Sequence, residues 1–420
     1  VSTLDPATEL DDADDPFAAF DRSAGIGVID DPYPLFAAAR AAGALHRQDV
    51  RAEVGLEVGA DAAGRTGAPA VFTAYSHEAV QAVLRDGETF SSRGYAEVMG
   101  PVMGRTILEM DEPEHHTYRA LVQQAFSRRA MERWEREVIR PVVDEHLDRI
   151  AGRGRAELMR EVTFPFPVTV IARMMGLPAG DLEQFHRWAV EIISVGVDEA
   201  RARRASRELA AYLAPIVERR RAAPPAPDLI STLAHAEADG RRLDDEEIFS
   251  FLRLLLPAGA ETTYRSSSNL LFGLLTHPEQ LATLRRDVDG LVSAAIEEGL
   301  RWEPPLLTIL RIATRDTTVA GVEVPAGSMV VVNLGSANRD ETVWEHPERF
   351  DILRRPRPHL AFATGPHTCL GMHLARLETR VLLERMLARL PDLRLDPEAP
   401  APRITGMTFR APTALPVRFD

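Results

Sequence analysis

The sequence predicts a mainly α protein with a smaller β portion, an α+β fold, and three observations carry that expectation. Helical patterns dominate from Pro113 to about Ala222, broken by firm Gly and Pro stops. A long helix opens at Asp244-Asp-Glu-Glu and continues to about Thr276. Beyond Arg315 the texture changes to short β-prone runs separated by Gly/Pro turns. No composition shift marks a linker, so 1–420 is read as a single domain, with 1–30 an acidic, partly irregular leader.

In chain order, Pro32–Ala42 reads as a short helix, followed by a Gly/Ala-rich stretch near 55–68. Ala70–Thr73 reads as a strand, and Ser76 as the N-cap of the next helix, since its hydroxyl can accept from an orphan first-turn N–H. Ser91–Glu109 is rich in Gly and Met without a clean period and reads as a mobile loop. The helical stretch breaks at Gly152–Arg155, at Gly176–Gly180 and at the prolines Pro224, Pro225 and Pro227. Acidic residues in the first turn of the Asp244 helix suit the macrodipole. At ~1.5 Å per residue that helix spans on the order of 45 Å. A helix from near Leu291 stops before Pro304 and Pro305. Thr317–Val319, Val322–Val324 and Met329–Asn333 read as strands, 338–368 as ordered coil, and a strong helix follows Gly371.

Composition narrows the function classes. Hydrophobic residues make up 45% and charged residues 27% of the 420, an ordinary globular balance. A net charge of −14 argues against a nucleic-acid partner, because phosphate binding needs a basic surface. No apolar stretch approaches a membrane span. The acidic N-terminal segment lacks the basic and apolar regions of a signal peptide, and with a single cysteine this points to the cytoplasm. His77, His186 and His235 show no metal-ligand spacing. No Walker or dinucleotide fingerprint appears, so any electrons are expected from a separate protein.

Cys369, the one cysteine, sits in Phe362-Ala-Thr-Gly365-Pro-His367-Thr-Cys369-Leu-Gly371. A lone thiol forms no intramolecular disulfide, which leaves an inert buried Cys, a nucleophile, or one thiolate ligand to a metal. The flanks favour the ligand. Gly365 and Gly371 let the backbone turn tightly and approach a flat ligand. The helix beyond Gly371 places Cys369 at or just before an N-terminus, where N–H groups and the dipole are expected to favour a thiolate.

Three further constellations stand out. Glu298 and Arg301 are spaced as a helical i,i+3 ion pair directly before Trp302-Glu-Pro-Pro. Ala258-Gly259-Ala260-Glu261-Thr262-Thr263 interrupts an apolar helix with Gly, an acid and two hydroxyls, beside Pro257. Such a segment predicts a distorted helix opening a groove, its freed backbone groups satisfied by Thr hydroxyls. In Asp111-Glu-Pro113-Glu114-His115-His116-Thr-Tyr-Arg119, His115 and Arg119 share a helix face.

Taken in order, these segments resemble the cytochrome P450 family, from about residue 111 to 371, with compatible flanks. The cysteine loop resembles the family's Phe-x-x-Gly-x-His/Arg-x-Cys-x-Gly, with Ala363 departing where the family usually has Gly or another small polar residue. The resemblance implies a haem between the long central helix and the cysteine-loop helix, with Cys369 the proximal iron ligand and haem b (heme b, iron protoporphyrin IX) the cofactor. Phe362, Gly365, Gly371, Ala258 and Gly259 would frame it. His115, Arg119, Arg311 and His367 would neutralise its propionates, a task suited to the forked Arg donors. Thr262 and Glu261 resemble the pair that delivers protons to dioxygen, and Glu298–Arg301 the internal pair that locks the coil before the cysteine.

The implied activity is a bacterial-type monooxygenase that inserts one atom of O2 into a lipophilic substrate, by hydroxylation or epoxidation. Ferredoxin and a ferredoxin reductase are the implied electron donors, with Arg128, Arg129 and Arg376 as the candidate basic patch; the chain is expected to be a monomer. Met99, Met103, Ile192, Ile193, Val195, Leu307 and Ile309 suggest an apolar substrate cavity, although core packing explains each equally well. A product of secondary metabolism, whether terpenoid, steroid or macrolide, fits such a cavity. The alternatives are a peroxide-using or non-turnover haem-thiolate protein and a metal-free helical binding protein.

Overall fold

Helix boundaries follow from local chemistry. The structure, a computed structural model, describes residues 29–50, 67–193 and 198–420. The expected leader lies almost wholly outside the described residues, as do most of the Gly/Ala-rich stretch and Val195. Tyr33–Ala42 forms the first helix, and Ser76 caps His77–Arg85, its hydroxyl accepting from the Ala79 N–H at 3.2 Å. Asp244 opens the central helix with a capping box completed by Glu247.

The central helix is one continuous run in three parts: Asp245–Leu255, a π-helical turn Leu256–Glu261, and Thr262–Thr276. Pro257 has no N–H to give to a carbonyl four residues back, so the helix widens there rather than ending. This is the distortion the sequence predicts. Leu252, Leu256, Leu270 and Leu274 belong to the larger hydrophobic cluster, together with Phe166, Ile171 and, from the cysteine-loop helix Met372–Arg389, Val381 and Leu382. The two helices that bracket the site are therefore set by one core.

A five-stranded mixed sheet flanks this helical body, in the order Leu45–His46, Val71–Ala74, Met329–Asn333, Thr308–Ala313, Phe90–Ser91. Met329–Asn333 runs parallel to Val71–Ala74 and antiparallel to Thr308–Ala313, with Val330 opposite Arg311. The β hairpin Thr317–Val319/Val322–Val324 lies where expected.

One expectation is corrected. Within Ser91–Glu109 the structure has a helix, Gly94–Met103, despite Pro101 inside it. Tertiary packing overrides the poor propensity: Val102 and Met103 are buried, and Ser206 donates to the Val102 carbonyl at 2.5 Å.

Candidate active site

The cysteine loop is shaped by close backbone packing. Gly365 has φ +80°, and a Cβ there would fall 2.2 Å from the Leu84 carbonyl oxygen, so only glycine lets the loop lie on the His77–Arg85 helix. The Cys369 N–H donates to the Phe362 carbonyl at 3.0 Å, closing the loop on itself. Arg376 stacks over the Phe362 ring at 4.5 Å. Gly371 is the N-cap of the Met372–Arg389 helix.

Cys369 is exposed, yet dense protein surrounds it and burial pushes its thiol above the ordinary range. Both facts place the sulfur on the wall of a concavity. The expectation of a thiolate held by the helix terminus alone is corrected: the Gly371 backbone, Arg119 and Arg376 favour ionisation, but desolvation outweighs them. A bound metal would reverse that balance, since coordination deprotonates a thiol.

Beside the sulfur the structure brings together His115, His367, Arg119 and Arg311, drawn from a helix, a loop and a strand. The two imidazoles lie 4.2 Å apart. Arg119 donates to the Pro366 carbonyl at 3.4 Å, and Arg311, 3% exposed, donates to the Leu310 carbonyl at 2.7 Å. Burial, then the charge of Arg311 and the neighbouring His115, holds His367 neutral, with its pKa down at about 3. Burial also lowers both arginines from their usual values. His115 meets Glu112 through Nδ1 at 3.1 Å, while its Nε2 is buried with no partner among the described residues. An orphaned imidazole nitrogen beside the buried guanidinium of Arg311 and the half-buried one of Arg119 is a cradle for an anionic group, and it fits the two carboxylates of a haem.

Across from the loop, Thr262 donates to the Ala258 carbonyl at 2.7 Å, filling a backbone acceptor at the π turn as expected. Ala258 is exposed, and Gly259 and Thr262 are half-buried. Glu261 is fully buried and paired with Arg265 four residues on, Nε to Oε1 at 2.6 Å. The guanidinium of Arg265 stacks on Tyr264 at 4.9 Å and Phe409 at 5.5 Å. No motif pointed to Arg265; its signal was the i,i+4 spacing from Glu261 in an apolar run.

Glu298 and Arg301 form a buried two-point pair at 2.8 and 2.7 Å. Arg301 also donates to the carbonyls of Asn338, Pro347 and Arg349, and Glu298 accepts from the Asp351 N–H. The pair thus fastens the coil that leads to the cysteine.

The remaining expected residues divide. Met103, Ile192 and Leu307 are wholly buried in core clusters, where packing accounts for them; Met99 and Ile309 keep partial exposure. The Ile193 side chain lies outside the described residues. Arg128 and Arg129 are exposed, Arg128 pairing with Glu132 at 2.9 Å, and the half-buried Arg376 is held by Glu297 through two bonds at 2.6 and 2.8 Å. Among the described residues no group of three or more His, Cys, Asp and Glu is placed to hold a metal ion, and no helix is long and apolar enough to cross a membrane.

The family profile described as Cytochrome P450 matches residues 187–408. The chain is 38% identical over 353 residues to a steroid C26-monooxygenase of Mycolicibacterium smegmatis, covering 82% of this chain and 87% of that protein. It is 35% identical over 409 residues to the cytochrome P450 monooxygenase PikC of Streptomyces venezuelae, covering 93% and 91%. Among solved structures, CYP109E1 of Bacillus megaterium in complex with testosterone superimposes with a TM-score of 0.82 at 31% identity, covering 93% of this chain and 99% of that one.

Proposed function

From the premise that this chain belongs to the cytochrome P450 family and is a monooxygenase, we propose that it holds haem b on Cys369 and oxidises a lipophilic small molecule with electrons from a ferredoxin and its reductase. The observation that carries this reading is the exposed Cys369 beside the buried His115 and Arg311 and the half-buried Arg119 and His367. A thiolate-ligated haem, when bound, supplies dioxygen activation and favours O–O cleavage.

The chain's own residues do the rest. His115, Arg119, Arg311 and His367 hold the propionates by hydrogen bonds and charge. Thr262, whose hydroxyl donates to the Ala258 carbonyl on the widened helix, keeps its oxygen open to accept, and Glu261, paired with Arg265, would relay protons towards it. Apolar walls, to which Met99 and Ile309 contribute, exclude water from the substrate. Similarity to the steroid C26-monooxygenase and to the testosterone complex favours a steroid-like polycycle as substrate. Exposed Arg128 and Arg129 are the contacts proposed for an acidic electron donor.

The decisive test is the spectrum of the reduced, carbon-monoxide-bound protein. It is expected to show the red-shifted band of thiolate ligation, and Cys369→Ser is expected to lose that band and the activity while remaining folded. Absence of the band in the wild type would end the haem-thiolate reading. Product formed only with peroxide, and not with NADH, ferredoxin and reductase, would end the ferredoxin-dependent one.

A further inference from the structure

We propose that a cleft between the Gly94–Met103, Glu199–Ala222 and Asp245–Leu255 helices is a binding site for a carboxylate or phosphate group, formed by Arg203, Arg207 and Arg253. The cleft has a volume of about 290 Å³, room for a small anion or the polar end of a longer ligand.

Its floor belongs to the central helix. Glu246, Ser250 and Arg253 are spaced to share one face of that helix. Arg253 is 7% exposed and gives its Nη1 to Glu246 at 2.7 Å, while its Nε–H is buried with no partner among the described residues. Ser250 is 1% exposed, and its hydroxyl is likewise unpartnered there. A buried guanidinium N–H and a buried hydroxyl without partners are each unfavourable. Of the two, Arg253 lines the cleft, and its N–H can donate to an anion there.

Gly104 keeps the approach open. Its φ is +76°, and a Cβ there would fall 2.6 Å from Ser250 Oγ and 3.2 Å from Glu246 Oε1.

The rim is cationic. Arg203 and Arg207 are four residues apart, so both lie on one face of the Glu199–Ala222 helix. Arg203 pairs with Glu199 at 2.8 Å, but Arg207 has no ion-pair partner among the described residues. Three guanidiniums against the single lining carboxylate of Glu246 leave an excess of positive charge, in a chain whose net charge is −14. Like charges at i,i+4 repel, and an anion between the helices relieves that repulsion. The walls are fixed by the Ser206 hydroxyl bond to the Val102 carbonyl, so the site needs no refolding to form.

Position gives the site a use. Arg253 precedes Ala258 by five residues and Thr262 by nine, or about 7–8 Å and 13–14 Å along the helix axis. A substrate anchored by an anionic end at Arg253 would present carbons of its apolar chain to the oxygen-activating turn. This use rests on the monooxygenase reading, whereas anion binding itself does not. The anion is either the substrate's own end group or a separate small anion.

The purified holoenzyme is titrated with dodecanoate and with methyl dodecanoate, following the haem spin-state shift, and with inorganic phosphate by calorimetry. A charged hydrogen bond worth about 1.5–3 kcal/mol corresponds to a preference of about 10- to 100-fold for the acid over the ester. That preference, lost in Arg207→Ala while ester affinity is kept, identifies the substrate's end group. Equal affinity for acid and ester, with phosphate binding that Arg207→Ala abolishes, identifies a separate anion. Arg253→Gln is expected to repeat either result, and because Arg207 is exposed its variant remains informative should Arg253→Gln fail to fold. Failure of acid and phosphate alike, or binding unchanged in Arg207→Ala, overturns the proposal. A missing haem spectrum with phosphate binding intact would sink the monooxygenase reading and leave the anion site standing.

Discussion

Two buried Glu–Arg pairs lie on helices of this protein, and they do different things. Glu298–Arg301 joins its helix to another segment: Arg301 reaches three carbonyls of the coil 338–349, and Glu298 accepts from the Asp351 N–H and from Arg354 at 3.3 Å. In Glu261–Arg265 the acid is held by an arginine of its own helix, whose guanidinium rests on the rings of Tyr264 and Phe409. Burial and ion pairing are common to both. What marks the first pair as a structural clamp is that its hydrogen bonds reach a second segment of the chain; the second is the pair proposed for proton delivery.

The largest expected effect comes from breaking the clamp. Arg301→Ala leaves Glu298 buried with only Arg354 at 3.3 Å as a cation and strands the Asn338 and Pro347 carbonyls, so a loss of about 3 kcal/mol is expected. Arg301→Lys is expected to rescue little, because an ammonium lacks the planar fork that serves the carboxylate and the coil together. Thermal melts of the purified variants check this, and a Lys variant as stable as wild type would show that charge alone suffices. Replacing both partners then separates the pairs. Glu298→Gln with Arg301→Met still leaves the coil carbonyls without donors and remains strongly destabilising. In Glu261→Gln with Arg265→Met, the thioether can take over the ring contacts, so the double is expected to be destabilised less than the first while activity falls by about 100-fold or more. Equal destabilisation of the two doubles would erase the distinction.

A third buried acid sharpens the contrast. Glu378, on the cysteine-loop helix, is hydrogen-bonded to Thr263, and burial raises its pKa from 4.5 to about 8. Through the interval from 4.5 to about 8 the folded protein keeps a proton that the unfolded chain releases, so this group makes stability fall as pH rises. Glu378→Gln is expected to remove that slope, raising the melting temperature at the alkaline end by an amount equivalent to a few kcal/mol and changing little at the acid end. A wild-type stability that is flat across the same interval would mean that Glu378 is not protonated in the fold.

These differences explain what could be read from the chain and what could not. Gly365, Glu298, Arg301 and Thr262 were legible because each answers a local demand: a left-handed turn, a helical pair, an unfilled carbonyl. The central helix and the cysteine-loop helix followed from period and caps. The Gly94–Met103 helix was not legible, because Gly and Pro depress its propensity and only burial against other elements sustains it. Strand Thr308–Ala313 went unread for a related reason, since its pairing partners lie at Met329–Asn333 and Phe90–Ser91, far off in sequence. Arg265 and the Arg203–Arg207–Arg253 cleft were invisible singly; charges gain meaning there from burial and from convergence of three helices.

The smallest effect concerns the cysteine loop that the clamp supports. Ala363 sits at φ +55°, in the left-handed region, while its N–H donates to the Leu360 carbonyl at 2.9 Å. An L side chain there is unfavourable by about 1–2 kcal/mol, which Gly would avoid. Two terms oppose the exchange: glycine loses about 0.5–1 kcal/mol more backbone entropy on folding, and the Ala363 methyl is partly buried against the second hydrophobic cluster. Because that burial is partial, relief of strain is expected to win by about 0.5 kcal/mol, so Ala363→Gly should raise the melting temperature by about 1 °C. The same substitution made with Arg301→Ala should give no gain, since a loop no longer held by its coil can relax without it. A gain that persists there would show that the strain at Ala363 belongs to the loop itself and not to the clamp.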